Sequence, residues 1–413
     1  MPELIEFKSA PIVEPHAKTG SVLRIAIVTT GRFHVADLAR EFAHAGHIVT
    51  FYSMVPPSRL LTFGLDSCAV DTVLLPVAHL YAASRAAPTR ALRGHFLRLM
   101  TKQFDLQVAK RLKECDVLIG MSGICVEAAR TARRRWGAKI YIERGSRHIL
   151  SQRKILAELP HAEQVSDWQV DREMKSYEIA DVVTVLSRHC EDSFIDEGFP
   201  RDRLFRNPLG VKLSDFPVAD RTGVAVPTII MAGTWCWRKG ADMFELAARR
   251  MPNVNFVHVG SVGDYSIPQL KNFRHLEKVE QRQLRHLYAR AHVFCLASRE
   301  EGMATVIPQA LASGLRVVCS DRTGGDDLRG FLDDEERMSS FPSDDMDGML
   351  AALHQQIDRS RYDVPLQRSL SELGASYLSW ASSAERYISR MRRDINLGSE
   401  RFLDREHLIA EVN

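Results

Sequence analysis

Two α/β domains, each built on a parallel sheet, are predicted by three observations. From residue 22 onward, short β-rich apolar runs alternate with stretches of helical periodicity, the pattern of βαβ crossovers. The alternation breaks at RLFRNPLGVKLSDFPVADRTGVAVP (203–227), rich in Pro, Gly and polar residues, and then restarts. A length of 413 residues suffices for two domains of ordinary size.

Taken in order, residues 1–21 mix acidic, basic and proline residues without an apolar core, which reads as a flexible tail and not as a secretory signal. VLRIAIVTT (22–30) is a continuous apolar run, the mark of a buried strand; Gly31–Arg32 form a loop, and VADLAREFAHAGH then repeats apolar residues at helical spacing. HIVTFYS, DTVLLPV, DVLIGMS, KIYIERG and DVVTVLS carry the theme through a first Rossmann-like domain, 22–205. TIIMAGT, NVNFVHVG, HVFCLAS and LRVVCSD build a second one over 206–375, and LSWASSAERYISRMRR marks a closing helix within 376–413. Two such domains facing one another leave a cleft at the carboxyl ends of their strands, where open α/β sheets bind ligands.

Composition narrows the function. Hydrophobic residues at 45% and charged residues at 26% describe a soluble globular chain, and no run approaches the roughly eighteen apolar residues of a membrane span. A net charge of +3 is too small to indicate a nucleic-acid partner. The seven cysteines (68, 115, 125, 190, 236, 295, 319) never form CxxC and several sit in apolar runs, which suits buried, reduced thiols of a cytoplasmic protein. TTGRFHV after the first strand lacks GxGxxG, which argues against a nicotinamide or flavin dinucleotide; GxxxxGK[ST], GxSxG and HExxH are absent too. Asp345–Met346–Asp347 lies in a polar stretch rather than after a strand and reads as a solvated loop. Neither a metal nor a cofactor is expected.

The chemistry concentrates in CLASREEGMATVIPQALASGLRVVCSD (295–321). A strand ends at Ser298, and a helix beginning near Ala304 would aim unpaired N–H groups at an anion such as phosphate, although simple capping explains such a start as well. Glu301 offers two acceptor oxygens to sugar hydroxyls, and Gln309, eight residues on, returns to about the same helix face. Pro308 should kink that helix or mark its first turn. AGTWCWRKGADMF (232–244) puts Arg238 and Lys239 before Gly240, as cations for a diphosphate or as a solvated turn. Gly31 permits a tight turn after the first strand, with Arg32 and His34 projecting from the same loop; His34 either meets an acceptor or caps and packs locally. In KIYIERGSRHILSQRKIL (139–156), Glu143, Arg144, Ser146 and His148 fall near the cleft, unless an internal Glu–Arg salt bridge holds the loop.

SREEGMATVIPQALASGLRVVCSDRTG resembles the signature of retaining GT-B glycosyltransferases, family 4, whose usual form is S-x-x-E-G-x-x-x-x-x-x-E-A-M-A-x-G. Glu301 matches the first acidic position, uncharged Gln309 stands at the second, and Gly314 matches the glycine. Residues 177–216 are similar to the family's interdomain stretch, with Asn207–Pro208–Leu209–Gly210–Val211 and Phe216 as a variant of its turn. Residues 232–244 resemble its G-R-x-x-x-x-K-G, with Lys239 and Gly240 in place but Thr234 where Arg is expected, so that Arg238 would supply the missing cation. The resemblance implies the GT-B fold, two Rossmann-like domains across a cleft, with a C-terminal helix crossing back to the first. It implies donor-binding roles for Gly31, Arg238, Lys239, Lys278, Glu301, Gly302, Met303, Ala304, Thr305 and Gln309, with Lys278 on the nucleobase side. Arg32, His34, Glu143, Arg144 and His148 fall on the acceptor side, and Glu301 and Lys239 would carry catalysis.

The implied activity is metal-independent transfer of a sugar, with retention, from a nucleoside diphosphate sugar to a hydroxyl acceptor, as in polysaccharide biosynthesis. No nucleophile–base pair is legible, so catalysis would rest on positioning and on stabilising the departing diphosphate. Thr234 and Gln309 keep alive a catalytically idle GT-B paralogue serving as a partner subunit; no motif supports sugar-nucleotide epimerisation.

Residues 81–113 hold Arg85, Arg90, Arg93, Arg98, Lys102, Lys110, Arg111 and Lys113 against one acid, Asp105, with Phe96, Leu97, Leu99, Met100 and Phe104 interleaved. This reads either as a membrane-surface element, which would set the first domain on an anionic cytoplasmic membrane face and favour a lipid-linked acceptor, or as an ordinary helix with a core face and solvated arginines.

Overall fold

The structure, a computed structural model, describes residues 22–410 apart from 222 and 225, with side chains of the closing helix described to residue 396. The segment read as a tail, 1–21, lies outside the described residues.

The first sheet contains β1 (Arg24–Val28), β2 (Ile48–Ser53), β3 (Ala69–Thr72), β4 (Val117–Met121), β5 (Lys139–Glu143), β6 (Val182–Val185) and β7 (Leu204–Arg206). The second contains β8 (Thr228–Ala232), β9 (Asn255–Val259), β10 (Phe273–Leu276), β11 (Val293–Leu296), β12 (Arg316–Ser320) and β13 (Met338–Phe341). Every pairing between these strands is parallel, and the orders are β3-β2-β1-β4-β5-β6-β7 and β10-β9-β8-β11-β12-β13. In each sheet the winding reverses beside its first strand, so crevices open at the carboxyl ends of β1/β4 and of β8/β11. Central strands are apolar throughout because helices cover both faces. The helix Val35–His44 shows the matching pattern, burying Val35, Leu38, Ala39 and Phe42 at three- and four-residue spacing.

Two local expectations need correction. DTVLLPV is not one strand: β3 ends at Thr72, and Leu75–Val77 forms a helical turn, since Pro76 has no N–H to give a ladder. Asp345 is not loose in a solvated loop; its carboxylate accepts from the Gly348 N–H (2.9 Å) and caps the helix Met346–Ser360.

The closing helix, Trp380–Ala410, packs on the first domain. Tyr387 sits among Phe42, Tyr141 and Phe205, with ring centroids 5.8, 5.6 and 5.3 Å away, and Ala384, Ile388 and Met391 complete that apolar face. The linker runs under the start of this helix. Val211 N–H donates to the Leu378 carbonyl (2.7 Å), Asn207 bridges to Ser383 and Arg386, and a Cβ on Gly210 would overlap Trp380. Glycine is required there by close approach alone.

A buried charge ties three helices of the first domain together. The carboxylate of Asp105, on the helix Arg90–Arg111, accepts from the N–H groups of Glu127 and Ala128 (both 2.9 Å), which open the helix Val126–Trp136. It also pairs with Arg172 of the helix Asp167–Ile179 at 2.9 Å, and Arg172 donates to the Gly123 and Ile124 carbonyls. Removing the acid strands a buried guanidinium and two N–H groups. Asp105→Ala is therefore expected to cost about 3–5 kcal/mol, read from urea unfolding of the two proteins.

Candidate active site

The loop leaving β11 places three successive charged side chains in three directions. Arg299 turns back into its own domain, where its guanidinium meets both carboxylate oxygens of Asp242 (2.7 Å each), Asp344 (2.5 Å) and the Trp237 carbonyl (2.6 Å). Its N–H donates to the Arg238 carbonyl (2.9 Å), which joins this loop to the helical turn Trp237–Lys239. Gly240 ends that turn at φ 75°, and a Cβ there would strike the Ala297 carbonyl, so both conformation and space demand glycine. Lys239 Nζ thereby lands on the Glu301 carboxylate, and Arg238 Nη1 lies 3.6 Å from carboxylate oxygens of both Glu300 and Glu301 while donating to the Glu300 carbonyl (2.6 Å). Burial, with Arg238 adding its charge, pulls the Lys239 ammonium down to about 7, and the Glu301 contact acts in the opposite sense.

The first domain meets this loop at a seam of small residues. Ser146 donates its hydroxyl to the buried Glu300 carboxylate, and Ser187 Oγ donates to the Gly302 carbonyl (2.7 Å). A Cβ on Gly302 would overlap the Gly145 carbonyl. Beside the seam opens a cavity of about 660 Å³, walled by Arg90, Gly145, Ser146 and Gln152 on one side and by Thr234, Arg238, Glu300 and Glu301 on the other. Thr234 Oγ1 is 3.2 Å from Ser261 Oγ, and Arg238 is the cation that the second domain contributes to the cavity lining. Among the described residues no cluster of His, Cys, Asp or Glu could hold a metal ion, and the seven thiols are free, six of them buried.

The residues singled out from sequence divide into groups. Arg238, Lys239 and Glu301 come together as described. The N–H of Ala304 is spent on the Thr323 carbonyl (3.0 Å), so Ala304 does not offer the ligand donor expected of a helix start, and the Met303 side chain belongs to the second domain's core. The helix itself begins later, at Val306, and runs only to Ala312; Pro308 lies in its first turn, and Thr305 stands just before it. Glu301 precedes the helix, so helical phase does not place buried Gln309 on its face. Gly31 takes no left-handed φ; Phe33 does, at 40°. Lys278 lies beyond β10 in a depression shared with Lys212 and Asp215, apart from the 660 Å³ cavity, because the loop after edge strand β10 turns toward the linker.

On the acceptor side, Arg32 lies over the Phe63 ring (4.1 Å) and 3.3 Å from Asp37. His34 Nε2 meets Glu143 at 2.9 Å, and Glu143 also accepts from Tyr387, whose hydroxyl is 2.6 Å from Thr184 Oγ1. Sequence reasoning missed Tyr387, which no local motif marks, and Glu300, whose signal was the Glu–Glu doublet. Arg144 faces inward: it pairs with Glu173 (3.1 Å), not Glu143, and donates to Gln152 (2.8 Å). His148 is also internal, its ring against Tyr177 and Phe194 and its Nδ1 accepting from the Leu150 N–H (3.4 Å).

Burial and the nearby Arg144 push His148 down to about 4, and burial does the same to His189 and His258. These rings are neutral in the native state, whereas the unfolded chain takes up their protons below about pH 6.5. Stability should therefore be level above that pH and fall as the pH drops toward about 4. His148→Phe, which keeps the ring packing, should lose less stability than wild type between neutral pH and about pH 5, as measured by urea unfolding at both.

Residues 226–359 match the family model for glycosyl transferases group 1. Sequence comparison with curated proteins gives no match. Among solved structures, the chain is similar to sucrose-phosphate synthase from Thermosynechococcus elongatus (TM-score 0.65, 17% identity, covering 91% of this chain and 100% of that one). It is similar as well to Anabaena HepE in complex with UDP-glucose (0.63, 10%, 89% and 99%). A third likeness is to the catalytic domain of starch synthase IV from Arabidopsis thaliana bound to ADP and acarbose (0.63, 13%, 91% and 100%). With two parallel-sheet domains meeting at a cleft and a closing helix returned to the first, the chain has the GT-B fold, and the match to glycosyl transferases group 1 lies within its second domain.

Proposed function

We propose that the protein transfers a glycosyl group from a nucleoside diphosphate sugar to a hydroxyl acceptor, with retention at the anomeric carbon. The observation that carries this reading is the pairing of Lys239 and Arg238 with Glu301, of which Arg238 and Glu301 line the interdomain cavity. Two cations suit a diphosphate, and a carboxylate between them suits sugar hydroxyls. The nucleotide ligands named for the similar structures, UDP-glucose and ADP, are of the same chemical class.

In this reading the diphosphate takes over Lys239 and Arg238, and Glu301 is released to accept hydrogen bonds from the donor sugar. As the glycosidic bond opens, negative charge gathers on the leaving phosphate oxygen, and the two cations stabilise that state more than the ground state. The acceptor hydroxyl approaches on the same face, and its proton passes to the departing phosphate oxygen. Arg238 stands in for the cation that Thr234 lacks. An idle partner subunit is the competing reading, favoured by Thr234 on Ser261 and by the uncharged, buried Gln309.

Lys239→Ala should weaken nucleoside diphosphate binding by about 1.5–3 kcal/mol in calorimetry and leave nucleoside binding unchanged; equal losses for both would point to a disturbed fold. Glu301→Gln should lower turnover about tenfold or more without lowering nucleoside diphosphate affinity. Wild-type protein that neither transfers sugar from nor slowly hydrolyses any common nucleoside diphosphate sugar would favour the idle-subunit reading instead.

A further inference from the structure

The helix Arg90–Arg111 has two apolar faces. Met100, Phe104 and Val108 enter the first domain's core. On the opposite side Leu92, Leu99 and Leu106 are 40%, 39% and 45% exposed, which no core role explains. At about 100° per residue these three leucines fall within about 40° of one another, and they form a line about 21 Å long. His95, Lys102 and Lys110 share that outward face, and Arg93 stands exposed at its first turn. Arg93, Lys102 and Lys110 have no acidic partner among the described residues. The helix Ala78–Ala86 packs beside it and, with the turn before it, adds Tyr81 (51% exposed) and Leu75 (87%). From Leu75 to Phe104 the chain carries five arginines and lysines and no carboxylate.

We propose that this surface docks the protein reversibly on an anionic lipid bilayer. Leucines in line with unpaired cations match acyl chains beneath negative headgroups, where burial and charge attraction add together. A second copy of the chain is a poor occupant, because a two-fold contact would set the same cations against each other. Nucleic acid would use the cations but leave the leucines in water.

The test is co-sedimentation of the full chain with phosphatidylglycerol–phosphatidylcholine vesicles and with phosphatidylcholine vesicles, at low and at high salt. No donor or acceptor is present, so the outcome does not depend on sugar transfer. Wild type should bind only the anionic vesicles and release in high salt. Lys102→Gln should weaken partitioning about fivefold. The triple variant Leu92→Gln, Leu99→Gln, Leu106→Gln should weaken it about tenfold or more; these side chains face solvent, and an unchanged thermal melt will verify its fold. Absence of binding to anionic vesicles at low salt, equal binding to neutral vesicles, or full binding by the triple variant would overturn the proposal. So would tighter salt-sensitive binding to an RNA oligomer that displaces the vesicles.

Discussion

The geometry of the cleft depends on one buried ion pair. Arg299, held by both oxygens of Asp242, leaves the loop after β11 no freedom to rotate about its own axis. With Arg299 fixed inward, the bend of the chain at 299–300 carries Glu300 toward the first domain and Glu301 onto Lys239. A bidentate guanidinium–carboxylate pair has a planar geometry that a lysine could not reproduce, which is why it can act as the reference for its neighbours. The Arg238 backbone is tied to the same point, so cation and carboxylate are positioned together and not by separate loops.

The two domains touch through this loop and through Asp327, whose carboxylate accepts from the Arg188 N–H (2.7 Å). The second domain's apolar core takes Leu186 from the first, and the remaining contacts there are polar or made by glycine. Interfaces of that kind leave relative domain motion inexpensive. What holds the halves in one molecule is the crossing at their edge, where the linker at Asn207–Val211 lies beneath Trp380 and Ser383. The closing helix then reaches Glu143 through Tyr387, so the first domain's buried carboxylate is oriented by a residue that follows the whole second domain in sequence.

The basic helix shows how the same composition can serve two surroundings. Its inner face is anchored by Asp105, whose charge is neutralised by Arg172, so the cations on its outer face face no acid of their own helix. Apolar residues on both sides blur the amphipathic signal that a single-sided helix would give. For that reason the sequence pattern alone did not separate the leucines that pack from those that face water.

Strand–helix alternation, the break near residue 205 and the loop at 298–302 were legible in the sequence, because each rests on local patterning: apolar runs, turn residues and the spacing of charged groups. The short edge strands β7, β10 and β13 were not, since LFR, FRHL and MSSF mix polar with apolar residues and pair on one side only. Glu301 and Lys239 were expected to act together, and tertiary structure sets them in contact. Arg144 and His148 sit in the same polar loop as Ser146, yet only Ser146 reaches the cleft, because Glu173 and Tyr177 from a distant helix claim the other two. The sequence by itself determined which elements form and which residue types could meet a charged ligand. Only the tertiary structure decided which of those side chains turn inward, since that depends on partners far along the chain and on how close Gly145 and Gly302 allow two backbones to come.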